Sequence, residues 1–376
     1  MSGERPERDF GTAGLFALVM PKRLLLLTLA AFLLLAAPAP AALQKGFWGP
    51  IERDGVSQFP IYEDLGVDIF QLAVNWNAVA TARPANPTDP SDPAYRWPAD
   101  VDRAITEAAA HGMRVSLLVM STPGWANGGR DRSYAPDDPQ DYANFMTAAA
   151  RRYPAVGRWM VWGEPVRAAN WKPQNPARLG ARRLTPAQAR APRRYAALLD
   201  AAYAALKGVR RSNKVIGGNS FTGGDVNPYN WVRYMRLPNG RPPRMDLYGH
   251  NPFGYRRPDF SDPPFIKRQV DFSTLPELHE QVQRYLGRRI KLFLSEWTVP
   301  TDRPDAEFNF HTTRAAQASW IRSAFRISRR TRWIDTLGWI HLYDEPSATP
   351  GAPGIQGGLI ASDGVRKPGY AAFKSG

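Results

Sequence analysis

The sequence predicts an α/β fold, a single (β/α)8 TIM barrel, and three observations carry that prediction. Eight short apolar runs alternate with helix-patterned segments between residues 43 and 376. No glycine-rich phosphate loop opens a helix after the first run, which argues against an open doubly wound sheet. The fourth and seventh runs each stop abruptly at a glutamate. In a parallel barrel, the C-terminal strand ends are where chemistry is carried.

The elements follow in order. Lys45-Gly46-Phe47-Trp48 reads as the first strand and residues 67–74 as the second. Residues 100–112 form a helix, with Val101, Ile105 and Ala108 at helical spacing and Gly112 to stop it. Residues 114–120 are the third strand, 139–152 a helix, and 159–162 the fourth strand. A long amphipathic helix spans 186–210, with Tyr195, Leu198, Leu199, Ala202 and Leu206 on one side. Residues 214–218 and 245–250 are strands five and six, 275–285 a helix, and 290–295 the seventh strand. A helix over 312–328, the eighth strand over 336–343 and a closing helix from 369 complete the pattern. Pro and Gly gather at 83–98 and 252–265, after strands two and six, on the face where barrel enzymes build their sites. There is no internal repeat and no interdomain linker.

A chain of 376 residues with 43% hydrophobic and 11% aromatic content suffices for one large barrel. The absence of cysteine excludes disulfides, thiolate metal sites and a cysteine nucleophile. The net charge of +15 comes largely from scattered arginine pairs such as Arg182-Arg183 and Arg329-Arg330. Such pairs read as solvated helix surface rather than a nucleic-acid-binding face. At the N-terminus, Met20-Pro21-Lys22-Arg23 precedes an apolar run over 24–37 and then Pro38-Ala39-Pro40-Ala41-Ala42. A basic head, an apolar run of that length and an Ala-x-Ala site make a signal peptide. Residues 1–42 are therefore expected to be an N-terminal extension and signal, and 43–376 the catalytic domain. An uncleaved membrane anchor is the alternative, although the run is shorter than the ~20 residues that span a bilayer. The expected location is outside a bacterial cell or in its envelope.

The strand ends carry residues suited to a sugar, which offers C–H faces to aromatic rings and hydroxyls to amides and carboxylates. Asn75 and Trp76 follow strand two, and Trp125 follows strand three. Strand four gives Glu164 with Trp171 in its loop, and strand five gives Asn219. Tyr248 and His250-Asn251 close strand six, Glu296-Trp297 strand seven, and Trp339 lies in strand eight. Each has a plainer reading: the tryptophans and Tyr248 as core, His250 as a structural histidine, Asn75 and Asn251 as turn caps. Glu164 before Pro165 could equally be a helix N-terminal charge. The constellation is more specific than its parts, because two acids three strands apart face one cleft.

These residues resemble the clan of retaining glycoside hydrolases with acids on strands four and seven, which includes family 5 cellulases and the xylosidase and iduronidase family 39. Gly163-Glu164-Pro165 resembles the clan's Asn-Glu-Pro, and Ser295-Glu296 its Ser/Thr-Glu. The run Gly358-Leu359, Asp363-Gly364, Lys367-Pro368 and Tyr370 is similar to the clan's usual chain end. The resemblance implies Glu164 as acid/base and Glu296 as nucleophile, with carboxyls about 5 Å apart. It also implies a raised pKa on Glu164 and an ionised Glu296. Tyr248 or His250 would position the nucleophile or hold substrate, and Trp339 would be a sugar platform. No metal or organic cofactor is implied, because carboxylates do the chemistry.

Two departures stand out. Gly163 replaces the asparagine that usually contacts the sugar 2-hydroxyl, so Asn75 or Asn219 must substitute or the substrate differs. Gln71 stands where related enzymes often place an arginine beside the nucleophile. The expected function is an exported retaining β-glycosidase. The alternatives are a carbohydrate-binding protein on a retired hydrolase barrel and a surface module that uses its positive charge on anionic polymers.

Overall fold

The computed structural model describes residues 2–3 and 42–376, apart from 179, 288, 306 and 347–353. The expected signal segment lies outside the described residues. Residues 42–376 form one compact unit. No helix among the described residues is long and apolar enough to cross a membrane.

Eight parallel strands close into a barrel: β1 (Gln44–Trp48), β2 (Ile69–Asn75), β3 (Arg114–Met120), β4 (Arg158–Val161), β5 (Lys214–Phe221), β6 (Leu247–Asn251), β7 (Lys291–Leu294) and β8 (Ile334–Ile340). The ring shuts where Phe47 of β1 pairs with Trp339 of β8 on one side and Phe70 of β2 on the other. Because side chains alternate across a strand, each strand feeds two cores. Ile69, Leu118, Met160, Ile216, Leu247 and Phe293 fill the barrel interior. Their neighbours in sequence pack outward against the helices.

The helices are α1 (Phe59–Asp64), α2 (Trp76–Val79), α3 (Ala99–Ala110), α4 (Pro139–Arg152), α5 (Arg190–Val209), α6 (Pro228–Tyr234), α7 (Leu275–Tyr285), α8 (Arg314–Arg330) and α9 (Pro368–Ser375). Their ends match the capping rules. Asp138 accepts the amide of Gln140 at the start of α4, and Arg151 and Arg152 complement its C-terminal dipole. Thr313 caps α8 in the same way, and Arg329 and Arg330 close it. The buried stripe of α7, Leu275, Leu278, His279 and Val282, has the expected helical spacing. The long helix runs from Arg190 rather than 186, but a capped turn leads into it: Thr185 and Gln188 exchange side-chain and backbone hydrogen bonds, and Ala189 N donates to Thr185 O at 3.0 Å. The eighth strand lies at Ile334–Ile340, earlier than its expected span. The short α1 and α6 and a small hairpin, Glu52–Arg53 with Val56–Ser57, had no legible periodicity.

A buried ion pair ties the chain's last segment to the top of β8. Lys367 Nζ donates to Asp344 Oδ1 at 2.6 Å, Thr301 Oγ1 at 2.8 Å and Gln356 O at 3.2 Å, with its side chain fully buried. Removing only the cation strands a buried carboxylate. Lys367→Met is expected to cost about 3–5 kcal/mol in urea unfolding, and adding Asp344→Asn should recover much of that loss.

Candidate active site

The fourth strand hands over to its loop through an unusual turn. Trp162 (φ 62) and Glu164 (φ 44) both take left-handed backbone, which costs a residue with a side chain. Several bonds hold it there. Trp162 N donates to Val119 O at 3.0 Å. Asn219 Nδ2 donates to Val161 O at 3.0 Å and Trp162 O at 2.7 Å. Tyr195 Oη donates to Val161 O at 2.8 Å and accepts from Gly218 N at 2.9 Å. The turn aims Glu164 over the barrel mouth.

Glu296 follows β7 directly. Gln71, from β2, donates through Nε2 to Ser295 O at 2.9 Å and accepts from Ser295 Oγ at 3.0 Å, while Trp48 Nε1 donates to Ser295 Oγ at 3.1 Å. Gln71 thus fixes the residue before the carboxylate, and its amide is spent there.

Asn251, the last residue of β6, links the two acids. Its Nδ2 donates to Glu164 Oε1 at 2.9 Å, and its Oδ1 accepts the backbone N–H of Glu296 at 3.2 Å. Arg167 Nη1 donates to Glu164 Oε2 at 2.9 Å and lies 3.5 Å from Glu307 Oε1. Both acids open on one cavity of about 130 Å³, shared with Phe221, Phe253, Phe308 and His341. A larger groove, about 490 Å³, lies between α6 and α7 and is lined by neither acid. The carboxylate pair, not size, marks the site.

Burial raises the pKa of Glu164, opposed by the Asn251 hydrogen bond and the Arg167 charge. Glu296 is pushed up to about 8, first by burial and then by the charge of Glu164. The sequence led us to expect an ionised Glu296, and the free site departs from that. The physical reason is local: Gln71 brings no charge, and Arg167 pairs directly with Glu164. Two carboxyls in this relation share one proton near neutrality, so the pair is best treated as a single titrating unit.

The other expected sugar contacts divide sharply. Asn75 is exposed at the tip of β2 and accepts from Ser121 Oγ at 3.0 Å. Trp125 is half-buried, with its indole N–H on Ala80 O at 2.8 Å and Arg83 4.5 Å above its ring. Trp76 is fully buried, edge-on to Trp125 and stacked on Phe145. Trp171 is enclosed by Trp162 and Tyr195. Trp297 and Trp339 are buried against each other at 5.4 Å, so Trp339 is not presented as a platform. Tyr248 and His250 are also buried, and their hydrogen bonds go to groups other than the two acids. Tyr248 Oη donates to Ser220 Oγ at 3.0 Å, Ser220 donates to His250 Nδ1 at 2.8 Å, and His250 Nε2–H meets Val270 O at 3.0 Å. Burial lowers the His250 pKa to about 4, consistent with the neutral ring these bonds require. Asn219 acts on backbone carbonyls of the β4 turn rather than facing the cavity. Its close approach needs Gly249, where a Cβ would fall 1.8 Å from Asn219 Oδ1.

Strand parity explains three of these corrections, Tyr248, His250 and Trp339. Residues 247, 249 and 251 of β6 point inward, so 248 and 250 point outward; the same parity turns Trp339 out of the barrel. Asn251, passed over beside His250, was the inward residue.

No family model matches this chain, and no characterised protein sequence matches it significantly. Solved structures do. A family 39 glycoside hydrolase from Bacteroides cellulosilyticus WH2 aligns with a TM-score of 0.62 at 17% identity, covering 89% of this chain and 63% of that one. A glucosidase from Croceicoccus marinus gives 0.62 at 16%, over 89% and 67%. A β-xylosidase from Caulobacter crescentus gives 0.59 at 16%, over 90% and 68%. The chain spans less than two thirds of the first of these. The barrel is therefore the one found in family 39 glycoside hydrolases of clan A, and at this identity the likeness shows the fold.

Proposed function

We propose that this protein is an exported retaining β-glycosidase. The observation that carries the reading is the pair Glu164 and Glu296, bridged by Asn251 at the mouth of one cavity. In the first step Glu164 gives its proton to the leaving oxygen while Glu296 attacks the anomeric carbon, forming a glycosyl ester. In the second, Glu164 takes a proton from water as that water attacks the same carbon, and Glu296 is released as carboxylate.

Catalysis needs the shared proton on Glu164. Arg167 opposes this while it pairs with Glu164, and Glu307 offers it another partner at 3.5 Å. Movement of the guanidinium toward Glu307 would raise the affinity of Glu164 for the proton and favour the ionised form of Glu296. The basic head and apolar run at residues 20–42 support export.

The test is turnover of a panel of aryl β-glycosides, with the first-released sugar followed by NMR. Release of the β-anomer supports double displacement; release of the α-anomer, or no turnover of any glycoside, overturns it. The plot of kcat/KM against pH is expected to be bell-shaped. Its alkaline limb should lie near 8, where the pair loses its last proton.

A second reading, a carbohydrate-binding protein without turnover, is favoured by one feature. Arg167 bonds the acid that must donate a proton, and among the described residues no arginine bonds Glu296. Glycan binding without hydrolysis would select it.

A further inference from the structure

We infer that a row of six aromatic rings leading out of the carboxylate cavity is a binding track for an extended glycan chain. The site would thus take several linked sugars rather than one terminal sugar. This inference deepens the glycosidase reading and rests on it for the identity of the reacting end.

The row begins at Phe221 and Phe253, which line the cavity with Glu164 and Glu296, their rings 5.7 Å apart. Phe308 follows at 5.3 Å and also lines the cavity. Phe310 comes next at 6.0 Å, Tyr255 at 4.7 Å and Phe265 at 6.4 Å. Exposure rises along the row, from 8% at Phe253 to 46% at Tyr255 and 64% at Phe265. Among the described residues, Tyr255 and Phe265 are the only aromatic side chains in the strongly exposed apolar set, and they are neighbours. Two exposed rings left together in water at the end of a cavity-lining row point to a ligand surface.

The loops that carry the rings are fixed from below. Thr222 Oγ1 donates to Phe253 O at 2.7 Å and Asn251 O at 3.0 Å. Arg256 and Asp271 form a paired contact at 2.8 and 3.1 Å, and Gly254 lets the backbone pass Asp271, where a Cβ would lie 2.9 Å away. On the other loop, the Asp305 carboxylate accepts the amides of Glu307, Phe308 and Gln356 at 3.0, 2.7 and 2.9 Å. The backbone beneath Phe253, Tyr255 and Phe308 is thus fixed before any ligand arrives, which limits the conformational entropy lost on binding. Continuity with the cavity argues for the occupant: a polymer whose reacting bond sits at the two carboxyls can run out across these rings. Ring faces suit the C–H faces of sugars of either charge, so the track reads chain length more than sugar identity.

The experiment uses the full chain and two readouts. Affinity electrophoresis through gels containing xylan, mixed-linkage β-glucan, glucomannan or hydroxyethylcellulose measures binding without turnover. Wild type is expected to be retarded by at least one polymer, and Tyr255→Ala/Phe265→Ala to bind that polymer at least tenfold more weakly. Both rings are exposed, so a circular dichroism spectrum and melting curve matching wild type will exclude misfolding. Wherever the polymer is also cleaved, the loss in kcat/KM should be at least tenfold larger for polymer than for an aryl monosaccharide glycoside. Retardation of wild type by none of the polymers, or equal retardation of the double variant, overturns the track. Binding that depends on the two rings without any hydrolysis leaves the track standing and sinks the glycosidase reading instead.

Discussion

Glu296→Gln is expected to lose activity on every aryl β-glycoside that wild type cleaves, by about 10⁴-fold or more, because in the proposed mechanism Glu296 is the group that forms the glycosyl ester. Glu164→Gln should fail differently. A poor leaving group needs the proton, and losing a general acid costs about 10²–10⁴-fold. A dinitrophenolate leaves without protonation, so the first step on that glycoside should survive and the intermediate should accumulate. A burst of dinitrophenol followed by slow turnover is the expected signature. Steady-state and burst kinetics on 4-nitrophenyl and 2,4-dinitrophenyl glycosides separate the two roles. If both variants lose the same factor with both leaving groups, the roles of Glu164 and Glu296 are wrongly assigned.

The same Glu296→Gln substitution should make the protein more stable. The Glu164–Glu296 pair holds its last proton up to about pH 8, against an ordinary value of 4.5 for a glutamate, and Glu296→Gln removes one of its two sites. A raised carboxyl keeps a proton in the folded state that the unfolded chain has already released. Wild-type stability therefore falls as pH rises from about 4.5 to 8, and glutamine has nothing to titrate. The variant should match wild type below pH 4.5 and exceed it by about 2–4 kcal/mol above pH 8, a figure reduced from the full shift because the carboxyl opens on a cavity. Urea unfolding at pH 4, 6 and 8.5 checks the trend. A stability difference that stays constant across that range would show that Glu296 is not held in its neutral form by burial.

The fold was legible because a parallel barrel writes itself as repeated apolar runs, and because two of those runs end in an acid. The acids come together as that pattern implies. The aromatic residues were less legible, because a tryptophan one position either way along a strand changes from barrel lining to helix packing. Trp339 and His250 show this: their strands were placed, but their side chains face away from the mouth. The turn at Trp162 and Glu164 had no sequence signal, since its left-handed residues are not glycines. What holds it, Asn219 and Tyr195, comes from elements 55 and 31 positions beyond Glu164. Long-range pairing of this kind leaves no mark in local spacing. The aromatic row was equally hidden, because its rings come from the end of β5 and from the two loops after β6 and β7.

Gly163 bears on how this site can change. A Cβ at that position would lie 3.2 Å from Leu118 Cδ2 and 3.5 Å from Met120 Sδ. An asparagine introduced alone would press on the inward face of β3, where Leu118 has to give by a few tenths of an ångström to admit it. A smaller residue at 118 would open a void while glycine remains. Positions 118 and 163 are therefore energetically coupled, and the double change is expected to cost less stability than its two parts added together.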